Sequence, residues 1–430
     1  MAHTRFHWSR WFVTGLMTAS LAACGGTTPL SDTDAGTDDT PETAAETTPG
    51  DAVKIGALMP MTGDLQAFGE TSLNGVNLAI DQINGAGGVL GQPIELAVGD
   101  TQTAAQPSID AAQKLVSIEN VVAIVGALSS GNTIPVAESV TKGNKVPMLS
   151  PASTSPVIST LEDEDFLFRT VPSDAFQGVA LAQIAEEQGL TNVATIYVNN
   201  DYGQGLAESF QSAFEATGGT VSGAVPYEQG QASYRGELQQ LAGGDAEALL
   251  LIGYPENGIT ILKQSLEEGL FDRFVFTDGM KAPEIIEAIG AEALAGAFGT
   301  VAQSDTESEA YTLFTTAYEA AYGELPPKPY IDTSYDAMMI LALAIEQAGS
   351  TEGVDIQAAI RDVANAPGVE IKPGEWAKAV EAIANGEDID YVGASGSLEF
   401  DEQGDVAGAF AHWAIQDGAI VTVKVFEPQL

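Results

Sequence analysis

Four short polar clusters in this sequence combine hydroxyls, an acid and aromatic rings in a way that could grip a small charged molecule. They are Ser129-Ser130-Gly131-Asn132-Thr133, Ser150-Pro151-Ala152-Ser153-Thr154, Asn199-Asn200-Asp201-Tyr202-Gly203 and Asp278-Gly279. Each follows a short apolar run. Small hydroxyl residues opening a helix offer N–H and O–H donors to a carboxylate. An acid among aromatics offers the complementary end, an acceptor for a cation in a place from which water is excluded. Singly, each cluster reads as loop punctuation or helix capping. Together they put anion seats in one half of the chain and an acid with aromatics in the other.

The runs before these clusters belong to a regular alternation. Val53–Met59, Ile94–Val98, Val121–Val125 and Val146–Leu149 read as strands. Helical spacing of apolar residues runs from Leu73 to Ile83, Ile109 to Ile118 and Thr133 to Val140. The rhythm restarts after Phe166–Thr170, with strands at Val193–Val198, Val221–Tyr227, Ala248–Ile252 and Phe274–Thr277. The matching helices are Phe176–Glu187, Gly205–Ala216, one ending at Leu238–Leu241, and Ile259–Glu268. Such β-α order predicts parallel sheets with helices on both faces, here two doubly wound α/β units divided near residue 171. Ligands of such sheets bind beyond the carboxyl ends of the strands, where the four clusters fall. Helices over Ala310–Tyr322 and Thr333–Ala348 follow. A hairpin is expected from Gly396–Phe400, a turn at Asp401–Asp405 and Ala409–Ile415, with a further turn at Gly418 before Ala419–Phe426.

Composition narrows the chemistry. The 430 residues carry 60 Asp and Glu against 16 Lys and Arg, a formal net charge of −44, which excludes a nucleic-acid binder that neutralises phosphates. One Cys excludes a disulfide within the chain, and three His leave little for a metal site. No G-x-S-x-G elbow or Walker A sequence occurs. Gly203-Gln204-Gly205 lacks the third glycine of a dinucleotide fingerprint, and Gly85-Ala86-Gly87-Gly88 precedes a strand, so it reads as a turn. His412 sits in a late strand, away from a plausible Ser-His-Asp set. Glu162-Asp163-Glu164-Asp165 reads as a solvated acidic loop. No catalytic, metal or cofactor site is assigned.

The N-terminus explains the lone Cys. Arg5 and Arg10 precede a short apolar stretch, Phe12–Ala19, and then Leu21-Ala22-Ala23-Cys24-Gly25. A basic start, a short apolar core and a small-residue exit make a secretory signal, too short for an ordinary membrane span. The ending resembles the bacterial lipobox, which implies acylation of Cys24 and a chain anchored to the membrane without spanning it. Residues 1–23 are then removed. Residues 24–51, rich in Thr, Asp, Glu and Ala with Leu30 as the one large apolar residue, read as a disordered acidic tether spanning roughly 30 Å on average.

From residue 53 onward the chain resembles the leucine/isoleucine/valine-binding family of type I periplasmic binding proteins, which serve ATP-driven importers. The stretches that carry the resemblance include Ile55-Gly56-Ala57-Leu58 with Thr62-Gly63; Asn84 through Gly87-Gly88-Val89-Leu90-Gly91; Val125-Gly126 with Ser129-Ser130; Ser150–Thr154; Phe168-Arg169-Thr170; and Asp201-Tyr202-Gly203-Gln204-Gly205. The resemblance implies two lobes joined by a three-segment hinge and closing on a ligand. Residues 52–171 with about 303–407 would form lobe 1, and 172–302 with about 408–430 lobe 2. Carried over by motif, Ser130 and Thr154 would hold a ligand carboxylate. Ala152 (carbonyl), Thr154 and Asp278 would hold its ammonium. Phe68, Tyr202, Tyr254 and Tyr335 would wall its side chain. The family often has Tyr at Phe68 and Glu at Asp278, which puts side-chain selectivity in question. Lys281, three residues after Asp278, is expected on the surface.

The expectation is therefore an extracytoplasmic, lipid-anchored, monomeric receptor, periplasmic or at the cell surface of a bacterium. It would capture a neutral amino acid and deliver it to a permease and its ATPase. The alternatives are another small carboxylate or amide ligand in the same fold, and, in other classes, an extracytoplasmic hydrolase or a sensor module.

Overall fold

The computed structural model describes residues 52–428. The signal, Cys24 and the tether lie outside the described residues. The first sheet is parallel and contains β1 (Val53–Met59), β2 (Ile94–Asp100), β3 (Ala123–Gly126), β4 (Met148–Ser150) and β5 (Leu167–Arg169), in the order β2-β1-β3-β4-β5. β6 (Asn192–Val198), β7 (Thr220–Tyr227), β8 (Ala248–Ile252), β9 (Phe274–Phe276) and β10 (Phe298–Gln303) repeat that order as β7-β6-β8-β9-β10. β11 (Val369–Ile371), β12 (Ile389–Gly393) and β13 (Gly396–Ser397) form a small third sheet. β14 (Ala409–Gln416) and β15 (Ala419–Phe426) return to the second sheet, antiparallel to β10 and to each other.

The inner strands are the most apolar, as strands covered on both faces must be. Every residue of β3 and β8 is buried. The helix Ile331–Ala348 is buried on all sides from Thr333 to Ile345, because it lies between the helix Gln66–Gly85, the helix Gly353–Ala364 and the first sheet. Gly75 permits the first of these contacts: a Cβ there would lie 2.2 Å from the Ile331 carbonyl.

The expected elements are present, with longer helices. The amphipathic spacing from Leu73 continues a helix that begins at Gln66. One expectation fails. Gly396–Phe400 and Ala409–Ile415 do not pair as a hairpin. Gly396 and Ser397 pair with β12, and β14 is an interior strand between β10 and β15. The Asp401–Asp405 turn does form, with Asp401 N–H donating to the Asp405 carbonyl at 2.9 Å, but its two arms belong to different sheets. β10, the third sheet and the helices Pro283–Ile289, Gly353–Ala364 and Trp376–Ala384 were not legible from spacing.

The chain passes between the two large sheets three times: after β5, after β10 and before β14. The first and third passages are tied by Arg169, whose side chain is fully buried. Its guanidinium donates from Nε to Asp405 Oδ1 at 2.6 Å and from Nη2 to Oδ2 at 2.7 Å, and from Nη1 to the Ser155 carbonyl at 3.0 Å. Removing one partner of a buried, bidentate pair strands the other charge. Arg169→Met is therefore expected to lower the unfolding free energy by about 3 kcal/mol, read as a lower midpoint in urea titrations of the domain.

Candidate functional site

The carboxyl ends of both large sheets face one cleft. Leu65 follows β1, Leu128-Ser129-Ser130 follow β3, Ala152 follows β4, Tyr202 follows β6, Tyr254 follows β8, and Asp278-Gly279 follow β9. With Tyr330, these residues enclose a cavity of about 10 Å³, the scale of a single water.

On the first lobe the site is built from hydroxyls and backbone. Ser130 begins a helix, and its Oγ accepts from the Ser155 N–H at 3.1 Å, which holds the strand-end loops after β3 and β4 together. Ser150 and Ser153 both donate to the Ala127 carbonyl, at 2.6 and 3.3 Å. The Thr154 hydroxyl donates to Asp174 Oδ2 at 2.8 Å.

On the second lobe the site centres on Asp278, which is buried. Its Oδ1 accepts from Gln177 Nε2 at 2.9 Å and from the Tyr202 hydroxyl at 2.8 Å, while Oδ2 accepts from the Tyr330 hydroxyl. Burial pushes its carboxyl above the ordinary carboxylate value, and the three donors pull the other way. Tyr202 stacks on Tyr254 with ring centres 5.7 Å apart. Burial raises the Tyr254 hydroxyl above its ordinary value.

The lobes touch across the cleft. The Ser129 and Tyr254 hydroxyls share a hydrogen bond of 2.7 Å, and Ser155 Oγ donates to the Asp201 carbonyl at 2.9 Å. Gly131 is required where they meet, since a Cβ there would lie 2.9 Å from Asn200 Cβ.

Ser130, Ala152, Tyr202, Tyr254 and Asp278 are thus brought together around one cavity. Three expected residues are placed differently. Tyr335 is one turn too far along the chain. Its hydroxyl donates to Gln82 Oε1 at 2.5 Å and accepts from the Gly374 N–H at 3.1 Å, so it binds helices of the first lobe to each other. Tyr330, just before that helix and in the left-handed region at φ 74°, reaches Asp278 instead. Phe68 is fully buried and does not line the cavity; it packs edge-on against Tyr330, 6.1 Å between ring centres. Thr154 is also outside the lining, with its hydroxyl engaged by Asp174. Lys281 is on neither the cleft nor the open surface: it is part-buried and lines a separate cavity behind the hinge. His412 is buried edge-on against Phe298, and burial lowers its pKa.

Tyr330, Asp174 and Gln177 escaped the sequence reading. Tyr330 ends a proline-rich strap and Asp174 follows a capping serine, so both look like punctuation. Asp174 is fully buried, and its Oδ1 and the Oε1 of Gln177 have no hydrogen-bond partner.

With this geometry in view, the comparisons with known proteins are specific. The periplasmic binding protein family model matches residues 52–385. Over 359 residues the chain is 26% identical to the chemotactic signal transduction system substrate-binding protein BasB of Halobacterium salinarum, covering 81% of this chain and 84% of that one. It is 28% identical over 313 residues to the leucine-, isoleucine-, valine-, threonine- and alanine-binding protein of Pseudomonas aeruginosa, covering 72% and 82%. The crystal structure of a leucine binding protein, LivK, from Thermotoga maritima superposes with a TM-score of 0.75 at 29% identity, covering 88% of this chain and 99% of that one.

The acid pair yields a pH prediction. Burial, with the Asp278 charge added, raises the Asp174 carboxyl well above its ordinary value, against the pull of Thr154 and Arg169. The folded protein then keeps a proton that the unfolded chain releases above about pH 4, and stability falls as pH rises. Asp174→Asn removes that loss and keeps an oxygen for the Thr154 hydroxyl. The stability of the variant relative to the wild type is expected to increase from pH 4 to pH 8 in denaturant titrations; a pH-independent difference would contradict the raised pair.

Proposed function

Because the chain belongs to the periplasmic binding protein family, we propose that it is the extracytoplasmic receptor of an ATP-driven importer. It captures neutral, branched-chain amino acids by closure of the cleft and hands them to a permease. The observation that carries this reading is the opposition of two unlike walls across one cavity. Ser129, Ser130 and the backbone around Ala152 face Asp278 and the Tyr202–Tyr254 pair. A zwitterion needs donors at its carboxylate and an anionic acceptor at its ammonium. In this reading Ser130 takes the carboxylate, while the Ala152 carbonyl and Asp278 take the ammonium. The ammonium would give the buried Asp278 carboxylate a cationic partner. Tyr202, Tyr254 and Tyr330 exclude water and strengthen both contacts. Leucine-binding relatives in other organisms support the ligand class. The protein is a receptor, not an enzyme, and acts as a monomer held to the membrane through acylated Cys24.

A second reading keeps the same capture step and changes the partner. The relative from Halobacterium salinarum is named for a chemotactic signal transduction system. A receptor of that kind would present its closed form to a membrane transducer.

Two measurements test these readings. Calorimetric titration of residues 52–430, refolded to strip bound ligand, is expected to show saturable leucine binding. Asp278→Ala should weaken it at least 100-fold, since it strands a buried ammonium. Unchanged affinity in that variant would overturn the ammonium assignment. The acidity is a separate matter. A net charge of −44 sets the surface against itself, and salt screens that repulsion. We read it as adaptation to salty surroundings. The melting temperature of the domain is expected to rise in molar potassium chloride; a fall would rule this out.

A further inference from the structure

A second cavity near the hinge lies outside the cleft. It lies behind the crossovers and measures about 260 Å³. All three passages between the lobes line it, through Thr170–Pro172, Gln303–Ser304 and Val406–Ala409. Its lining therefore changes whenever the lobes move. Val171, Phe314 and Leu398 give it an apolar wall.

The polar groups facing this space are unbalanced. Asp332 is already satisfied: Oδ1 accepts from the Thr333 N–H at 2.9 Å and Oδ2 from the Ser304 hydroxyl. Lys328 is engaged too, by the Glu284 carboxylate and by the Ala67 carbonyl at 2.7 Å. Two donors remain. Lys281 is part-buried, and among the described residues its ammonium has no hydrogen bond or ion pair within contact range. Thr333 is 8% exposed and its Oγ1 has no partner. A buried hydroxyl without a partner is costly, and so is a half-buried ammonium. This chain has few cations, and among the described residues nine of them form ion pairs. One left facing a concave, partly apolar cavity with an orphan hydroxyl calls for an anionic ligand with an apolar body.

We propose that the hinge cavity is a second binding site, for a small organic carboxylate held by Lys281 and Thr333. Lys281 reaches it from the same 3₁₀ turn, Asp278–Met280, that presents Asp278 to the cleft, and its N–H donates to the Asp278 carbonyl at 3.0 Å. The two sites thus stand at opposite ends of one turn. Burial lowers the Lys281 ammonium from its ordinary value and Asp332 opposes this; a bound carboxylate adds to the effect of Asp332.

The probe is isovalerate, which has an apolar body and no ammonium for Asp278. Titrated into residues 52–430, it is expected to bind saturably to the wild type and with the same affinity to Asp278→Ala. Lys281→Met should weaken it at least tenfold and Thr333→Val several-fold, while both variants keep wild-type leucine affinity, which also shows that they are folded. Unchanged isovalerate binding in both variants overturns the site. So does loss of isovalerate binding in Asp278→Ala, which would place the probe in the cleft. Absence of saturable isovalerate binding in a wild type that binds leucine overturns it as well, and chloride alone saturating the Lys281 site with equal affinity overturns the carboxylate class. Failure of leucine to bind leaves the isovalerate comparison intact, so the two readings fail separately.

Discussion

A carboxylate buried between two lobes dictates much of this molecule. Asp278 is almost fully desolvated, and a charge in that position is tolerated only with donors around it. Those donors come from three separate stretches: Gln177 on the helix after the first crossover, Tyr202 on the helix after β6, and Tyr330 on the strap that leads back to the first lobe. Two of them belong to segments that connect the lobes. The charge that would recognise a ligand is thus also a clasp on the hinge. Among the described residues Asp278 has no ion pair, and nearby Asp174 Oδ1 and Gln177 Oε1 have no hydrogen-bond partner.

The twofold repetition of the order 2-1-3-4-5 explains why so many distant residues meet. In each sheet the strand order reverses between its first and third strands, which run parallel, and the loops there splay apart to leave a crevice. When two such sheets set their carboxyl edges against each other, the loops after β3 and β4 oppose those after β6, β8 and β9. Neither lobe alone has both a donor wall and an acid wall. The passages between the lobes must then be sturdy yet few, which is the part played by the Arg169–Asp405 pair at the first and third crossings.

The sequence was most readable where a physical period ran unbroken. β8 is a continuous apolar run and β1 is interrupted only by Lys54; both are located to the residue. The strand-end clusters were legible for the same reason: a polar cluster directly after a buried strand has a determined place in an open α/β sheet. What resisted were features set by long-range packing. Ala409–Gln416 and Gly396–Phe400 look like the arms of a hairpin by local pattern, yet tertiary pairing assigns them to different sheets. Tyr335 has the aromatic type expected of a ligand wall, but its helix faces the first lobe. Tyr330 has the position, through a left-handed backbone that no hydropathy period announces. Asp174 is indistinguishable in sequence from a helix-opening acid.

The cleft is shut here by direct hydrogen bonds between the lobes. Ser129 to Tyr254, Ser155 to Asp201, Thr154 to Asp174 and Gln229 to Asp64 are short, while Gln66 to Glu256 is 3.4 Å and exposed to solvent. Each neutral bond of this kind contributes about 1 kcal/mol net. Against these stands the desolvation of Asp278 and Asp174, which closing the cleft makes worse and opening relieves. The balance between open and closed forms is thus set by opposing contributions. A ligand shifts such a balance only by the difference in its affinity for the two forms. A molecule that brings a cation to Asp278 and an anion to the serine wall makes both contacts only when the walls are close. In the proposed reading, recognition and closure are therefore the same event, and a ligand lacking either charge would leave one wall unsatisfied.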